Sequence, residues 1–267
     1  MRALLDIYLS QFKVALAVEF QYRASQLLWL LGVMAEPIIY LVVWATVARA
    51  QGGSVAGYTA GDFAAYYIAW TLVRHMNIAL TPYEFEVRIK DGSLSAELLR
   101  PLHPYHRDLA WFLAMKVVGV LAWIPVAAGL AVAFRPTLEL VPWRVAGFFV
   151  AAVTAFIMRF ALLWALGLVT FWVTRVSAVF ELYFTTELLL SGRLVPLALM
   201  PDWAERLTYF LPFRWAFGFQ LELLLGRLTP SETLVGFAAQ AFWFVVGIGL
   251  VRLLWRSGLR RYSAVGA

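Results

Sequence analysis

Six apolar runs of roughly spanning length alternate with shorter polar segments. They cover about 27–48, 62–82, 109–134, 144–173, 178–199 and 233–255, each near the roughly 20 residues a membrane-crossing helix needs. The fourth is long enough to tilt or to project past the bilayer. The fifth is interrupted by Glu181 and Glu187 and broken near its end by Gly192 and Pro196. Ahead of them, Leu5, Tyr8, Leu9, Phe12 and Leu16 recur at helical spacing, with Arg2, Asp6, Ser10 and Lys13 on the opposite side. That pattern predicts an amphipathic helix over 1–24 lying in the interface plane; a solvated helical extension is the alternative. Asp6, Lys13, Glu19 and Arg23 break any apolar core there, so the stretch is not read as a signal peptide. The predicted fold class is an all-α integral membrane protein with six transmembrane helices, without the internal repeat that would suggest inverted halves.

Composition supports this reading. Of 267 residues, 63% are hydrophobic, 16% aromatic and 14% charged, whereas soluble domains carry about a quarter charged residues. Mean hydropathy is +0.77. The absence of Cys excludes disulfides, thiolate metal sites and Cys nucleophiles. None of the three lysines lies in a phosphate-cradling Gly-x-x-x-x-Gly-Lys-Ser/Thr loop. The net charge of +6 is not gathered into a basic cluster interleaved with aromatics, so no nucleic-acid partner is expected.

The basic residues also orient the spans. With a cytoplasmic N-terminus, inside segments hold thirteen Lys and Arg against seven outside. Both termini and the 84–108 loop are then cytoplasmic. The external segment, 200–232, is too apolar for a solvated loop and is divided by Pro201, Pro212 and Pro230. It predicts two short helices dipping back into the outer leaflet; an interfacial aromatic anchor is the alternative.

Charges within spans point to a partner, a cavity or a pathway. Glu36, beside Pro37, lies mid-way along the first span, Arg74 and His75 in the second, and Arg159 in the fourth. Pairing of Glu36 with Arg74 or Arg159 would satisfy both signs; a substrate-pathway role is the other reading. His103 and His106 lack a third ligand or carboxylate cluster, and no catalytic arrangement stands out. The chain is therefore read as non-enzymatic, with no metal site and no catalytic residue.

Glu84 to Pro101 is the longest charged stretch. Gly92 sits where a helix ends, Ser93 or Ser95 can begin a second short helix, and Glu97 lies near its first turn. Two readings stay open: a capped helix that transmits a push from a docked partner, or a solvated loop.

The pattern Arg88-x-x-x-Gly92-x-Leu94 followed by Leu98-Leu99-Arg100-Pro101 resembles the permeases of ABC-2 type exporters. So do Ser191-Gly192-x-x-x-Pro196-Leu197, Met200-Pro201-x-Trp203 and Leu211-Pro212-Phe213, in the same order. The closer resemblance is to the bacterial subgroup described as ABC-2 family transporter protein. It implies one transmembrane domain over 1–267, paired with a second permease, identical or homologous. Two cytoplasmic ATPase subunits would bind ATP and Mg, with no cofactor in this chain. It further implies that Arg88, Lys90, Gly92, Leu94, Glu97, Leu99, Arg100 and Pro101 form a coupling helix region. Gly192, Pro196, Pro201, Trp203, Pro212 and Phe213 would lie by an external gate. The expected function is ATP-driven export of an amphipathic or lipid-like substrate across the bacterial cytoplasmic membrane. The rivals are an ion-coupled carrier using Glu36, Arg74 and Arg159, a lipid-modifying enzyme using His75 or His103, and a non-transporting assembly partner.

Overall fold

The computed structural model describes residues 2–21, 23–173 and 176–262. The side chains of Arg2, Leu5, Glu19 and Arg23, and all of Arg175, lie outside what it describes. Helix α1 (Arg2–Gln21) runs beside α6 (Pro104–Phe134). Ala15 is buried and Tyr8, Phe12 and Leu16 are half-buried, whereas Leu9, expected on the same face, is exposed along with Asp6, Ser10 and Lys13.

Helix α2 (Arg23–Ala50) leads into a two-stranded antiparallel ribbon, β1 (Ser54–Val55) and β2 (Tyr58–Thr59), which hydropathy alone does not announce. Its turn places Ala56 at φ 47° and Gly57 at φ 75°, the double left-handed geometry of a tight hairpin. Thr59 and Asp62 then form a reciprocal capping box that opens α3 (Ala60–Asn77).

The second apolar run does not remain helical to 82. It stops at Asn77, and α4 (Thr81–Lys90) begins after Ile78–Leu80. Pro82 explains the break: it has no N–H for the carbonyl of Ile78, four residues earlier, and its ring crowds that carbonyl. The fifth run is also shorter than its hydropathy suggests. Helix α8 (Ser177–Leu190) has 14 residues, about 21 Å at 1.5 Å per residue, short of a hydrocarbon core of about 30 Å. Gly192, at φ 84°, turns the chain after it.

Among the described residues, three helices are long and apolar enough to cross a membrane: α6, α7 (Pro142–Leu168, continued by a 3-10 turn to Phe171) and α12 (Pro230–Leu259). Helix α7 is the axis of the fold, with 67% of its apolar window buried against 6% for α6. It packs along α12 and also touches α3, α4 and α11 (Gly218–Leu224). Two aromatic-rich clusters meet along it. One joins Phe148, Ala151 and Met158 to Tyr66, Trp70, Trp215 and Phe219; the other joins Phe156, Phe160 and Trp164 to Phe85, Leu94 and Tyr105.

The 200–232 segment forms three helical pieces rather than two: α9 (Asp202–Tyr209), α10 (Pro212–Ala216) and α11. Pro212 opens α10, where a missing N–H costs nothing. Phe213, Trp215, Phe217, Phe219 and Leu221 are buried against the helical core, which accounts for their unsuitability as solvated loop residues. Trp203 and Phe210 remain exposed.

Candidate functional site

The charged stretch folds as an elbow. Helix α4 ends at Lys90, Gly92 adopts φ 77°, and α5 (Ser93–Leu98) follows at once. A left-handed residue just past a helix end suits glycine because it has no Cβ to clash. The Asp91 carboxylate accepts the Ser93 N–H at 2.9 Å and steadies the bend. From the chain's other end, the Tyr262 hydroxyl meets Ser95 Oγ at 2.8 Å.

Beneath the elbow is a network of alternating charges. Arg88 donates to both oxygens of buried Asp108, at 2.7 and 3.0 Å, in the forked geometry that suits guanidinium and carboxylate. It also donates to Glu84 at 3.2 Å and lies 3.6 Å from Glu97. Arg107 donates to Glu97 at 2.6 Å and to Asp108 at 3.3 Å, and Trp164 Nε1–H of α7 donates to Asp108 at 3.1 Å. Burial works against the Arg88 charge, but Asp108, Glu97 and Glu84 more than offset it and hold its pKa above the ordinary value. Burial pushes the Glu84 carboxyl up, with Arg88 only partly countering it.

The elbow is therefore wired into α6 through Arg107 and Asp108 and into α7 through Trp164. Leu94 and Phe85 are buried with Trp164, whose ring meets Phe85 edge-on at 4.7 Å. His103 caps α6, its Nδ1 accepting the Tyr105 N–H at 3.2 Å, while His106 pairs with the Tyr8 hydroxyl of α1 at 2.6 Å. Of the loop residues singled out in the sequence, Arg88, Leu94 and Glu97 face inward and Gly92 forms the turn. Lys90, Leu99, Arg100 and Pro101 are exposed, Leu99 at 88%. Asp108, Arg107, Trp164 and Tyr262 complete the network and were missed. Only the charged pair Arg107-Asp108 at the edge of an apolar run hinted at it.

The polar residues within the apolar runs fall into two further groups. Glu36 accepts from Arg74, from Arg193 at 2.7 and 2.6 Å, and from Tyr40 at 3.1 Å. Arg159 is not its partner. It forms a forked pair with Glu187 of α8, at 2.8 and 2.7 Å, and donates to the Asn77 carbonyl. Lys116, counted as a cytoplasmic charge from its position, is buried and donates to the carbonyls of His75, at 3.1 Å, and Ile78. Two cations thus donate to carbonyls at the end of α3, a placement its dipole also favours. Glu187, one of the charges that weakened the fifth run, and Arg193 were not expected here.

Around Gly192 the irregular chain is held by α2 and α3. Tyr66 donates to the Gly192 carbonyl at 2.7 Å, and Trp44 and Tyr67 both donate to Leu194 at 3.0 Å. Pro196 precedes a short 3-10 turn, Leu197–Leu199, and Pro201 precedes α9. Phe213 packs edge-on against Tyr183 of α8 at 5.3 Å.

No curated protein matches this sequence significantly. The family described as ABC-2 family transporter protein matches residues 34–266, a stretch holding the elbow, its charge network and the Gly192 region. Such permeases are multi-pass membrane subunits of ABC transporters and associate with an ABC ATPase. The chain belongs to the ABC-2 transporter family.

Proposed function

We propose that this permease is half of an exporter whose ATPase subunits push on the α4–α5 elbow. Two ATPase subunits, carrying ATP and Mg, serve a pair of permeases, identical or homologous, in the bacterial cytoplasmic membrane with both termini cytoplasmic. When the ATPases close, exposed Lys90, Leu99, Arg100 and Pro101 receive the displacement. Arg88, Asp108 and Trp164 carry it to α6 and α7, and a cavity between the paired permeases changes its side of opening. The apolar, aromatic helices suit an amphipathic or lipid-like cargo. The 192–213 segment, with Gly192, Pro196, Pro201, Trp203, Pro212 and Phe213, lines the external exit.

The single observation behind this reading is the bidentate Arg88–Asp108 pair closed by Trp164. It joins the elbow to two long helices, whereas a solvated loop has no need of such a joint. The test uses the permease co-purified with its ATPase. Leu99→Asp with Arg100→Glu changes only exposed side chains and is expected to lower both ATPase retention and cargo transport at least tenfold. Retention and transport at the unaltered level would remove the coupling role.

A further inference from the structure

At the far ends of α3 and α6 from the elbow, two cavities adjoin. The first, about 480 Å³, is lined only by apolar side chains, among them Ala69, Trp123, Ala128, Phe148 and Phe149. The second, about 430 Å³, is lined by Asp62, Thr137, Glu139, Arg144 and Arg227, with Leu225. Leu138 lines both, and the neighbours Leu224 and Leu225, like Arg144 and Val145, divide between them. An apolar chamber therefore opens beside a charged vestibule.

The vestibule is structurally anchored. The Thr137 N–H donates to the Gly61 carbonyl at 3.1 Å, and its hydroxyl donates to Asp62 at 2.8 Å, fixing the 135–141 connection to the start of α3. Two of the four charges are engaged: Arg227 lies 3.8 Å from Asp62, donates to the Gly57 carbonyl at 2.9 Å and covers the Tyr58 ring. The other two have no ion-pair partner among the described residues. Arg144 has no carboxylate within ion-pair distance and its buried Nε has no hydrogen-bond partner, although its guanidinium lies 5.7 Å from the Trp143 ring centroid. Its guanidinium fills the space where a side chain at Gly226 would lie. Glu139 is exposed and likewise lacks a cation among the described residues.

One cation and one anion without a counter-charge among the described residues, beside an apolar chamber, complement a ligand with an apolar tail and a head of both signs. The geometry points to a binding site for one zwitterionic glycerophospholipid carrying a primary ammonium. An acyl chain occupies the apolar chamber, the phosphate meets Arg144 and the ammonium meets Glu139. The inference rests on the membrane placement proposed above but not on ATPase coupling.

The test places the full chain in nanodiscs of equal parts phosphatidylethanolamine and phosphatidylglycerol. Each lipid is supplied in turn as a trace probe with a photoactivatable acyl chain. Phosphatidylethanolamine is expected to label peptides holding Trp123 and Phe149 in preference to phosphatidylglycerol. Arg144→Gln lowers that labelling about tenfold, the loss of a charge-assisted hydrogen bond. Glu139→Gln removes the preference between the two lipids. Ala128→Trp, at an exposed lining position, fills the chamber and suppresses labelling by both; Glu139→Gln keeps the test decisive if that variant misfolds. Equal labelling by the two lipids, labelling no stronger than at exposed Leu253 on α12, or cross-links to a second copy in place of lipid overturns the site. Transport assayed in sealed vesicles of the same lipids, with the ATPase subunits and ATP present, separates the readings. Its loss with selective labelling retained removes the exporter and leaves the lipid site.

Discussion

Asp108→Asn tests the joint beneath the elbow most directly. The side chain keeps its shape but loses its charge and one acceptor, while three donors, Arg88, Arg107 and Trp164 Nε1–H, still converge on it. Breaking a buried ion pair by removing one partner costs about 3–5 kcal/mol. The lower end applies here, because Arg88 is 15% exposed and Glu97 remains 3.6 Å away as a second anion. About 3 kcal/mol corresponds to roughly a hundredfold rise in local opening. Amide exchange at Ser93–Leu98 and tryptic cleavage after Lys90 should accelerate by that order, while exchange within α12 stays as it was. Unchanged exchange across Ser93–Leu98 would refute the joint: the elbow would then be held by Leu94 and Phe85 packing alone, and its charges would be incidental.

Three further outcomes follow from the same physics. Glu187→Leu should destabilise the fold by about 3–5 kcal/mol because it strands buried Arg159, and Arg159→Leu added to it should recover part of the loss, as a double-mutant cycle of unfolding in detergent would show. Gly119→Ala should cost about 1–3 kcal/mol, since its Cβ would overlap the His75 ring, and thermal unfolding of the variant measures this. Burial, and then His106, hold the His103 pKa below its usual 6.5, so its contribution to stability is present above that value and is lost as pH falls through the lowered one. Unfolding temperature should drop as pH falls below 6.5 and should drop less in His103→Asn, which still caps α6 but does not titrate.

The family was legible in the sequence because its signals are local and ordered. Gly92, Ser93 and Pro101 mark helix ends through helix-stop and helix-start chemistry alone, Arg88 and Leu94 through the family pattern, and Gly192, Pro196 and Pro212 mark breaks for backbone reasons. Of the six apolar runs, the three that form long apolar helices among the described residues were equally readable, since hydropathy is a property of a window. The ends of the second and fifth runs were harder, because an apolar segment looks the same whether it is one helix or two. Pro82 and Gly192 decide that through single carbonyls and a single φ angle.

What the chain by itself determined, then, was the helical, membrane-suited class and the places where the backbone must turn. Tertiary structure alone decided which charges meet. Glu36 could have paired with Arg159 on grounds of sign, yet Arg193 reaches it from a segment 157 residues away, while Glu187 takes Arg159. A charge attracts any opposite charge within reach, so composition names the candidates without choosing among them. Only the packing of α7 between its neighbours brings Trp164 under Asp108 and sets Arg144 beside an apolar chamber.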